Sequence, residues 1–281
     1  MNKYDCVVIG CGPCGISTAI YLKRYGYFPI VIAKDLGALE KAHLIENYYG
    51  ISSITGHDLA LKGIEQAKKL DIEVTFDEVI DISYGDSFEV ICKNNTYKGR
   101  TIMLALGTNR NKFSLAEKYE GMGVSYCATC DGFFFRKKKV GIIGSGEYML
   151  HELNVLKNMI SDLTVFTNEE ELLVDVGDTK VISDKIVSLN GDGHLESITT
   201  TNGTYEIYQL FVATGSASGF SLAKHLGLGL NGNSLLVDSS FMTNIEGIFA
   251  GGDVVGGLLQ VSKAISDGAN AALGISKYLK R

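Results

Sequence analysis

The stretch Tyr4-Asp-Cys-Val-Val-Ile-Gly-Cys-Gly-Pro-Cys-Gly15 runs from an apolar strand pattern directly into a glycine-rich turn. Its apolar, β-branched residues are typical of a buried parallel strand. The spacing of Gly10, Gly12 and Gly15 is that of a loop whose backbone N–H groups approach a pyrophosphate where a helix begins. In such a loop Gly10 makes the turn, Gly12 clears the phosphates and Gly15 lets helix and strand pack closely. Pro13 completes this candidate binding loop.

A second unit of the same kind follows later in the chain. In the first unit, a helix and an apolar strand over 14–33 come after the glycine loop. In the second, the strand Val140–Ile143 leads into Gly144-Ser-Gly-Glu-Tyr-Met149, a helix near 147–159 and the strand Leu163–Phe166. Both runs have the order of a strand–helix–strand unit, in which parallel strands are joined by a crossover helix.

The segments between and after the two units add helices and short strands. A helix over 58–70 is predicted to bury a face that includes Leu61 and Ile64, and short strands are predicted at 96–98 and 100–106. We therefore predict an α/β fold with two Rossmann-like nucleotide-binding domains of the three-layer ββα type, the second inserted in the first. The predicted domain segments are 1–112, 113–215 for the inserted domain, and 216–281.

Composition excludes several classes of function. The 281 residues carry a net charge of −6, so the chain has no overall positive field to hold nucleic acid or an anionic membrane. Apolar runs such as Val140–Ile143 are far too short to cross a bilayer. The first strand pattern begins at Tyr4 and leaves no room for a signal peptide, so we expect a soluble, cytoplasmic protein.

Six cysteines raise the question of redox chemistry or metal binding. The two-residue spacing of Cys127 and Cys130 lets two thiols close into a disulfide, and Asp131 beside them could carry a proton to the leaving thiolate. A pair of merely buried cysteines is the alternative. Cys11 and Cys14 have the same spacing, but they lie inside the glycine loop, where small side chains suffice. No metal site is expected, because the two pairs are too far apart for a zinc ribbon.

Four segments resemble the low-molecular-weight bacterial thioredoxin reductases. Ser125-Tyr-Cys-Ala-Thr-Cys-Asp-Gly-Phe-Phe134 is similar to their active-site signature, and Ile45-Glu-Asn-Tyr-Tyr-Gly50 to their flavin-contacting segment. Phe249-Ala-Gly-Gly-Asp-Val254 resembles the segment whose Asp binds the FAD ribityl chain, and Gln260-Val261 resembles the start of the C-terminal helix at the flavin. The resemblance covers nearly the whole chain. It implies a homodimer with tightly bound FAD and a dithiol that faces the flavin.

The resemblance also implies roles for individual residues. It places Cys130 at the flavin, makes Cys127 the thiol that exchanges with the partner disulfide of thioredoxin, and makes Asp131 the acid/base. It makes 1–112 and 216–281 the FAD-binding domain and 113–215 the NADPH-like domain that carries the dithiol. The candidate FAD-binding residues are Gly10, Gly12, Pro13, Gly15, Glu46, Asn47, Gly107, Asp253, Gln260 and Val261.

The second glycine loop departs from the family pattern. Met149 stands at its third position, where helix and strand must pack closely. Thr167-Asn-Glu-Glu-Glu171 stands where a basic motif would hold the 2′-phosphate of NADPH, and acids would repel that phosphate. We therefore predict no nicotinamide site. Ferredoxin, a one-electron protein donor, would then replace NADPH, as in the pyridine-nucleotide-independent, ferredoxin-dependent flavin thioredoxin reductases that this chain resembles.

Three alternatives stay open at this point. One is a thioredoxin reductase that uses NADPH or NADH through an atypical site. Another is an oxidase that passes electrons from a small dithiol through FAD to oxygen. The third is a flavin-binding sensor or relic without enzymatic activity, against which the intact Cys127, Cys130 and Asp131 argue. Arg136-Lys-Lys-Lys139 is either a solvated turn or a basic patch that steers an acidic partner.

Overall fold

The computed structural model describes residues 3–85, 87–107, 113–126, 128–214, 219–232 and 234–281, with the backbone alone for Lys3, Lys41, Thr129, Cys130 and 219–221. The chain forms two compact units, one of Met1–Asn109 with Ser218–Arg281 and one of Arg110–Ala217. The predicted α/β fold of two Rossmann-like units, the second inserted in the first, is confirmed. The predicted boundaries near 112 and 216, and the cofactor assigned to each domain, stay predictions.

Seventeen strands and six α-helices lie within the described residues. The strands are β1 (Lys3–Ile9), β2 (Pro29–Ala33), β3 (Glu73–Phe76), β4 (Val79–Tyr84), β5 (Phe88–Cys92), β6 (Thr96–Leu104), β7 (Val124–Ser125), β8 (Val140–Ile143), β9 (Leu163–Phe166), β10 (Lys180–Ile182), β11 (Ile186–Asn190), β12 (Ser197–Thr200), β13 (Thr204–Glu206), β14 (Gln209–Val212), β15 (Leu230–Asn231), β16 (Ser234–Leu235) and β17 (Ile248–Ala250). The helices are α1 (Pro13–Arg24), α2 (Gly56–Lys69), α3 (Ala128–Asp131), α4 (Glu147–Lys157), α5 (Gly219–Leu226) and α6 (Val261–Leu279). Short 3₁₀ helices lie at Ala38–Lys41, Ser114–Tyr119, Gly132–Phe135 and Gly252–Val255.

The first unit is built on a sheet with the strand order β3-β2-β1-β6-β5-β4, in which β17 also pairs with β6. The pairs around β1, β2, β3, β6 and β17 are parallel, and the β4–β5 and β5–β6 pairs are antiparallel. Helices α1 and α6 pack closely, since a Cβ on Gly268 would lie 2.3 Å from the carbonyl oxygen of Cys14. This packing brings the start of α6 to the glycine loop that opens α1.

The second unit repeats this design on a smaller scale. Its sheet has the order β10-β9-β8-β14-β7, and all four pairs are parallel. Strands β8 and β9 are buried along their full length, as their apolar runs predict. A separate antiparallel sheet of β11, β12 and β13 belongs to the same unit.

Two details of the predicted elements are wrong. The strands expected at 96–98 and 100–106 form the single strand β6, because Gly99 pairs with Tyr4 on one side and with Phe88 on the other. Leu61 is 46% exposed, because α2 buries the face of Ala60 and Ile64, which lie about 100° and about 60° around the helix from it. Among the helices of the described residues, none combines the length and the apolar character needed to cross a membrane.

Candidate functional site

The first glycine loop is closed by close backbone contacts. Gly10 has a φ of +109°, and its N–H donates to the carbonyl of Ile32 at 2.8 Å. A Cβ on Gly10 would lie 2.2 Å from the carbonyl oxygen of Ala105, and a Cβ on Gly15 would lie 1.9 Å from that of Gly10. Both positions therefore exclude any side chain, which is the packing that the sequence predicts for the first and third glycines of such a loop.

The start of α1 is arranged to accept an anion. Pro13 is the first residue of the helix, its first turn contains no acid, and no side chain among the described residues caps it at Gly12. Apart from its two neighbours in the chain, no atom of the described residues lies within 4 Å of where a Cβ on Gly12 would be, so the space beside this residue is open. A helix N-terminus carries unpaired N–H groups and a partial positive charge. The loop therefore fits the diphosphate of a dinucleotide.

Residues far apart in sequence meet near this loop. Asn47 donates from Nδ2 to Oε1 of Gln260 at 2.9 Å across 213 positions of sequence, directly before α6 begins at Val261. The turn that carries Asp253 lies on α1, since a Cβ on Gly252 would be 3.0 Å from Cβ of Cys14. Glu46 is exposed beside Asn47, and Gly107, with a φ of +64°, follows β6. The contacts of all these residues with a cofactor stay predictions.

Asp253 is an acid in a partly apolar setting. Burial raises the pKa of its carboxyl group, with Asp267 adding to the shift and Lys263 opposing it. Sequence reasoning missed Lys263 and Asp267, which form an ion pair at 2.7 Å in the first turns of α6. Their spacing of four residues on a predicted helix was the signal that could have found them.

The predicted dithiol is only partly within the described residues. Cys127 lies outside them, and the backbone of Cys130 lies in α3. Asp131 is held in place, because Ser125 donates from Oγ to its Oδ2 at 2.6 Å. At the start of α3, the backbone N–H of Ala128 donates to Oε2 of Glu152 at 2.6 Å, and Glu152 is only 4% exposed. Sequence reasoning missed Glu152, a buried carboxylate of α4 that contacts the start of α3, the helix that contains Cys130.

The second glycine loop has the backbone frame of the first. Gly144 donates its N–H to the carbonyl of Phe166 at 3.0 Å, and a Cβ on Gly144 would lie 2.3 Å from the carbonyl oxygen of Ala213. The third position differs. Met149 is fully buried, and its Cβ lies 2.8 Å from where a Cβ of Gly144 would be. The side chain of Met149 therefore fills the space that close packing of α4 against the loop would need.

The surroundings of this second loop are acidic. Glu147 lies in the first turn of α4. Asn168 and Glu169 have φ values of +52° and +68°, which turn the chain after β9. Ser145 then donates from Oγ to Oε2 of Glu170 at 2.6 Å, and the N–H of Leu173 donates to the carbonyl of Ser145 at 2.9 Å. The segment after β9 is thus bonded to the loop where a nucleotide phosphate would bind.

A comparison with known families accounts for this pair of loops. The sequence model described as "Pyridine nucleotide-disulphide oxidoreductase" matches residues 4–268. The chain belongs to the pyridine nucleotide-disulphide oxidoreductase family. Thioredoxin reductases of this family are FAD-binding flavoproteins, so the predicted cofactor, FAD, is confirmed.

Individual related proteins indicate the type of enzyme, within this family, that the chain is most similar to. It is 30% identical to the thioredoxin reductase of Ureaplasma parvum, over 100% of this chain and 99% of that one. The atypical thioredoxin reductase TRi of Desulfovibrio vulgaris Hildenborough has a TM-score of 0.92 and 32% identity, with 99% and 98% of the two chains covered. A ferredoxin-flavin thioredoxin reductase of Clostridium acetobutylicum has a TM-score of 0.73 and 29% identity, with the same coverage. The chain is a disulfide oxidoreductase of the thioredoxin reductase type.

In this oxidoreductase, the other cysteines have the character of packing residues. Cys6, Cys11, Cys14 and Cys92 are free and buried. Burial raises the pKa of the Cys11 thiol to about 11 and that of the Cys14 thiol to about 12. Because the thiolate is the reactive form, these two thiols are unreactive at neutral pH. This agrees with the expectation that Cys11 and Cys14 serve the glycine loop and are not a second redox pair.

Proposed function

We propose that this thioredoxin reductase-type enzyme passes electrons from reduced ferredoxin through FAD and the Cys127–Cys130 dithiol to thioredoxin. The observation that carries the proposal is the contrast between the two glycine loops. The N-terminus of α1 is open and has no acid in its first turn, whereas α4 has Glu147 in its first turn and Ser145, in the loop before α4, donates to Glu170.

Charge and packing together argue against a nicotinamide dinucleotide at the second loop. A helix N-terminus attracts a phosphate, but carboxylates beside it oppose that attraction. Glu170 already accepts the hydrogen bond of Ser145, so a phosphate would have to displace it. Met149 adds a steric obstacle, because its buried side chain takes the place of the third glycine. A protein that donates electrons needs no pocket at this loop.

The names of related proteins agree with this proposal. The relative from Desulfovibrio vulgaris Hildenborough is called atypical, and the one from Clostridium acetobutylicum is named for ferredoxin and flavin. The relative from Ureaplasma parvum is named a thioredoxin reductase, which supports thioredoxin as the disulfide substrate. The homodimer that the sequence resemblance implies is also part of the proposal. A molecular mass equal to that of one subunit, measured by analytical ultracentrifugation, would contradict it.

The overall reaction balances in electrons and protons. Two reduced ferredoxins supply one electron each, and thioredoxin disulfide takes up two electrons and two protons to become a dithiol. FAD, when bound, accepts electrons singly and passes them on as a pair. The reduction potential of plant-type ferredoxins is about −400 mV and that of thioredoxin is about −270 mV, so the transfer of two electrons releases about 6 kcal/mol. The proposed direction of flow is therefore downhill.

The residues of the second unit divide the disulfide chemistry among them. Cys127 would attack the partner disulfide, and Cys130 would then attack the mixed disulfide and release reduced thioredoxin, which leaves Cys127 and Cys130 as a disulfide. Each released thiolate needs a proton, and Asp131 is the candidate donor next to Cys130. The hydrogen bond from Ser125 fixes the orientation of this carboxyl group.

The basic patch after the dithiol is a candidate contact for an acidic donor. Lys139 is paired with Glu206 at 2.5 Å, so its charge is largely balanced. Arg136, Lys137 and Lys138 are exposed. The guanidinium group of Arg136 lies 3.6 Å from the ring centre of Phe133. Phe133 is itself exposed, so an aromatic side chain lies next to the positive charges. Such a patch would speed association with an acidic protein and lose this effect in salt.

Anaerobic stopped-flow mixing tests the proposal. The flavin absorbance should bleach with reduced ferredoxin and stay unchanged with NADPH or NADH at up to about 1 mM, the upper end of usual KM values. A Lys137→Gln/Lys138→Gln variant should show a smaller salt dependence of bleaching by ferredoxin, and Lys185→Gln, which changes an exposed lysine elsewhere in the unit, should not. Rapid, saturable bleaching by NADPH would refute the proposed donor. Oxygen-dependent oxidation of small dithiols without a response to any donor would favour an oxidase.

A further inference from the structure

Lys263, in the first turn of α6, holds the turn that presents Asp253. Its Nζ donates to the carbonyl of Gly252 at 2.7 Å and to that of Gly256 at 2.6 Å. It also forms the ion pair with Oδ2 of Asp267 at 2.7 Å. The side chains of Lys263 and Asp267 are 20% and 11% exposed, so this ion pair is largely shielded from water.

The turn needs such a tie because its backbone is built of glycines. Gly252, Gly256 and Gly257 have φ values of +77°, +76° and +80°, in the left-handed region. Glycine reaches this region without strain but also has the most conformations to lose on folding. Lys263 bonds to both ends of the turn, and Asp267 accepts the N–H of Gly252 at 2.9 Å. These bonds select one conformation, which fixes where the Asp253 side chain lies.

Charge is the second reason for a lysine at this place. Burial is the main cause that raises the pKa of the Cys14 thiol, in the glycine loop, to about 12, and the Asp267 and Asp253 carboxylates add to that shift, so Cys14 stays neutral. Lys263 is the cation that opposes them there. The group Asp253, Asp267 and Lys263 thus carries a net charge of −1. Without the lysine it would carry −2 beside a helix start that fits a diphosphate.

We propose that Lys263 is a positioning residue for FAD, which fixes the Asp253 turn and offsets its carboxylates so that the anionic cofactor binds beside them. The inference rests on the proposed assignment of Asp253 to FAD. It predicts that the charge of Lys263, and not only its bonds to the turn, sets the affinity for FAD.

The test measures the dissociation constant of FAD with the apoprotein by flavin fluorescence, from about pH 5, just above the ordinary range of carboxyl groups, to about pH 8. We expect Lys263→Met to weaken binding at the upper pH by roughly tenfold to a hundredfold, because it leaves the shielded carboxylate of Asp267 without its cation and adds net negative charge beside the anionic cofactor. The loss should shrink at low pH, because Asp253, whose carboxyl pKa is raised by burial, can then bind a proton in place of the lysine charge. In the unchanged protein the affinity should vary little over this range.

A double variant separates charge from tethering. Lys263→Met/Asp267→Asn has the same net charge as the natural group, and the Asn oxygen can still accept the N–H of Gly252. We expect it to bind FAD with the flat pH profile of the unchanged protein and to recover most of the affinity. It also avoids an unpaired buried carboxylate if the single variant fails to fold. Lys277→Met, an exposed lysine near the end of the same helix, is the matched control and should change nothing.

The outcomes distinguish this inference from the assignment on which it rests. If Asp253→Ala leaves FAD affinity unchanged, the assignment of Asp253 is wrong. If Asp253→Ala weakens binding but Lys263→Met does not, only the role of Lys263 is wrong. An equal loss of affinity in the single and double variants at every pH would also overturn the inference, because tethering alone would then explain Lys263.

Discussion

Ser145 and Glu170 are joined by a 2.6 Å hydrogen bond that links the second glycine loop to the acidic segment after β9. Ser145 is buried and Glu170 is exposed. An anion that binds at this loop would have to break the hydrogen bond from Ser145 to Glu170. It would also be repelled by the negative charge of Glu170. The loop thus keeps the backbone of a nucleotide-binding turn while one of its own side chains is already bonded to a carboxylate.

We expect NADPH binding to require the removal of two separate obstacles. Glu170→Arg alone should leave binding undetectable, because the buried side chain of Met149 still fills the space behind Gly144. The double variant Met149→Ala/Glu170→Arg should bind NADPH measurably, since it supplies a cation for the 2′-phosphate and a small residue at the third position. Isothermal titration calorimetry measures the affinity. Glu171→Arg, with the same change of charge, is the control and should not bind.

Two results would contradict the prediction for Met149 and Glu170. If Glu170→Arg alone binds NADPH with micromolar affinity, Met149 is not an obstacle and packing at the third position tolerates a nucleotide. If the unchanged protein binds NADPH, neither Met149 nor Glu170 is an obstacle to the nucleotide. The double variant should be less stable than the natural protein by about 2–5 kcal/mol, because Met149 is fully buried and its truncation leaves a cavity. Denaturant unfolding therefore has to accompany the titration.

Local patterns in the sequence predicted much of the fold. Strand β9 lies where it was predicted, at Leu163–Phe166, and α4 begins at Glu147, where the helix near 147–159 was predicted to begin. Runs of buried apolar residues and a helical period are properties of neighbouring positions, so they can be read without knowing the tertiary structure. The exposed Leu61 was wrong because the buried face of α2 is decided by what packs on it.

Contacts between distant segments could not be predicted in this way. The bond between Asn47 and Gln260 joins two segments that the family resemblance named separately, and nothing in either segment indicates that they meet. The four-residue spacing of Lys263 and Asp267 indicates their ion pair, but nothing in the sequence indicates that the carbonyls of Gly252 and Gly256 also converge on Lys263. Such sites depend on the path of turns whose geometry glycine leaves open.

We expect alkylation to separate the predicted dithiol from the buried thiols. Burial raises the pKa of Cys6, Cys14 and Cys92 to about 12 and that of Cys11 to about 11. At pH 8 only about one thiol in 10³–10⁴ would be ionised at these positions, and the fraction would rise about tenfold per pH unit. Iodoacetamide treatment of the reduced native protein, followed by peptide mass spectrometry, should label Cys127 and Cys130 first. Labelling of Cys11 or Cys14 at a similar rate would reopen the alternative of a second redox pair.

We expect the acid/base role of Asp131 to be measurable apart from its structural role. Asp131→Asn should slow thiol–disulfide exchange with thioredoxin by about 10²–10⁴-fold, the usual contribution of general acid–base catalysis. Ser125→Ala removes the 2.6 Å hydrogen bond but keeps the carboxyl group, so its effect should be smaller. Cys127→Ser and Cys130→Ser should abolish exchange while FAD stays bound. An Asp131→Asn variant with an unchanged rate across the pH range would show that another group moves the proton.

The second and third glycines of the first glycine loop, Gly12 and Gly15, should respond differently to added methyl groups. A Cβ on Gly15 would lie 1.9 Å from the carbonyl oxygen of Gly10, a backbone atom that cannot move freely. Gly15→Ala should therefore lower the free energy of unfolding by about 1–3 kcal/mol, the usual cost of overpacking, even without FAD. Denaturant titration of the apoprotein measures this loss.

Gly12→Ala is the matched substitution, because within the described part of the chain its Cβ would meet only its own neighbours in sequence within 4 Å, and its φ of −66° suits any residue. The stability of the apoprotein should stay within about 0.5 kcal/mol of the natural value. If the diphosphate of FAD lies beside Gly12, the same methyl group should weaken FAD binding by roughly tenfold to a hundredfold, because 1.4 kcal/mol of overpacking is worth a factor of ten. Flavin fluorescence during titration measures that affinity. Unchanged FAD affinity in a stable Gly12→Ala protein would mean that the diphosphate does not approach the loop at Gly12, and the proposed cofactor site would then be wrong at its centre.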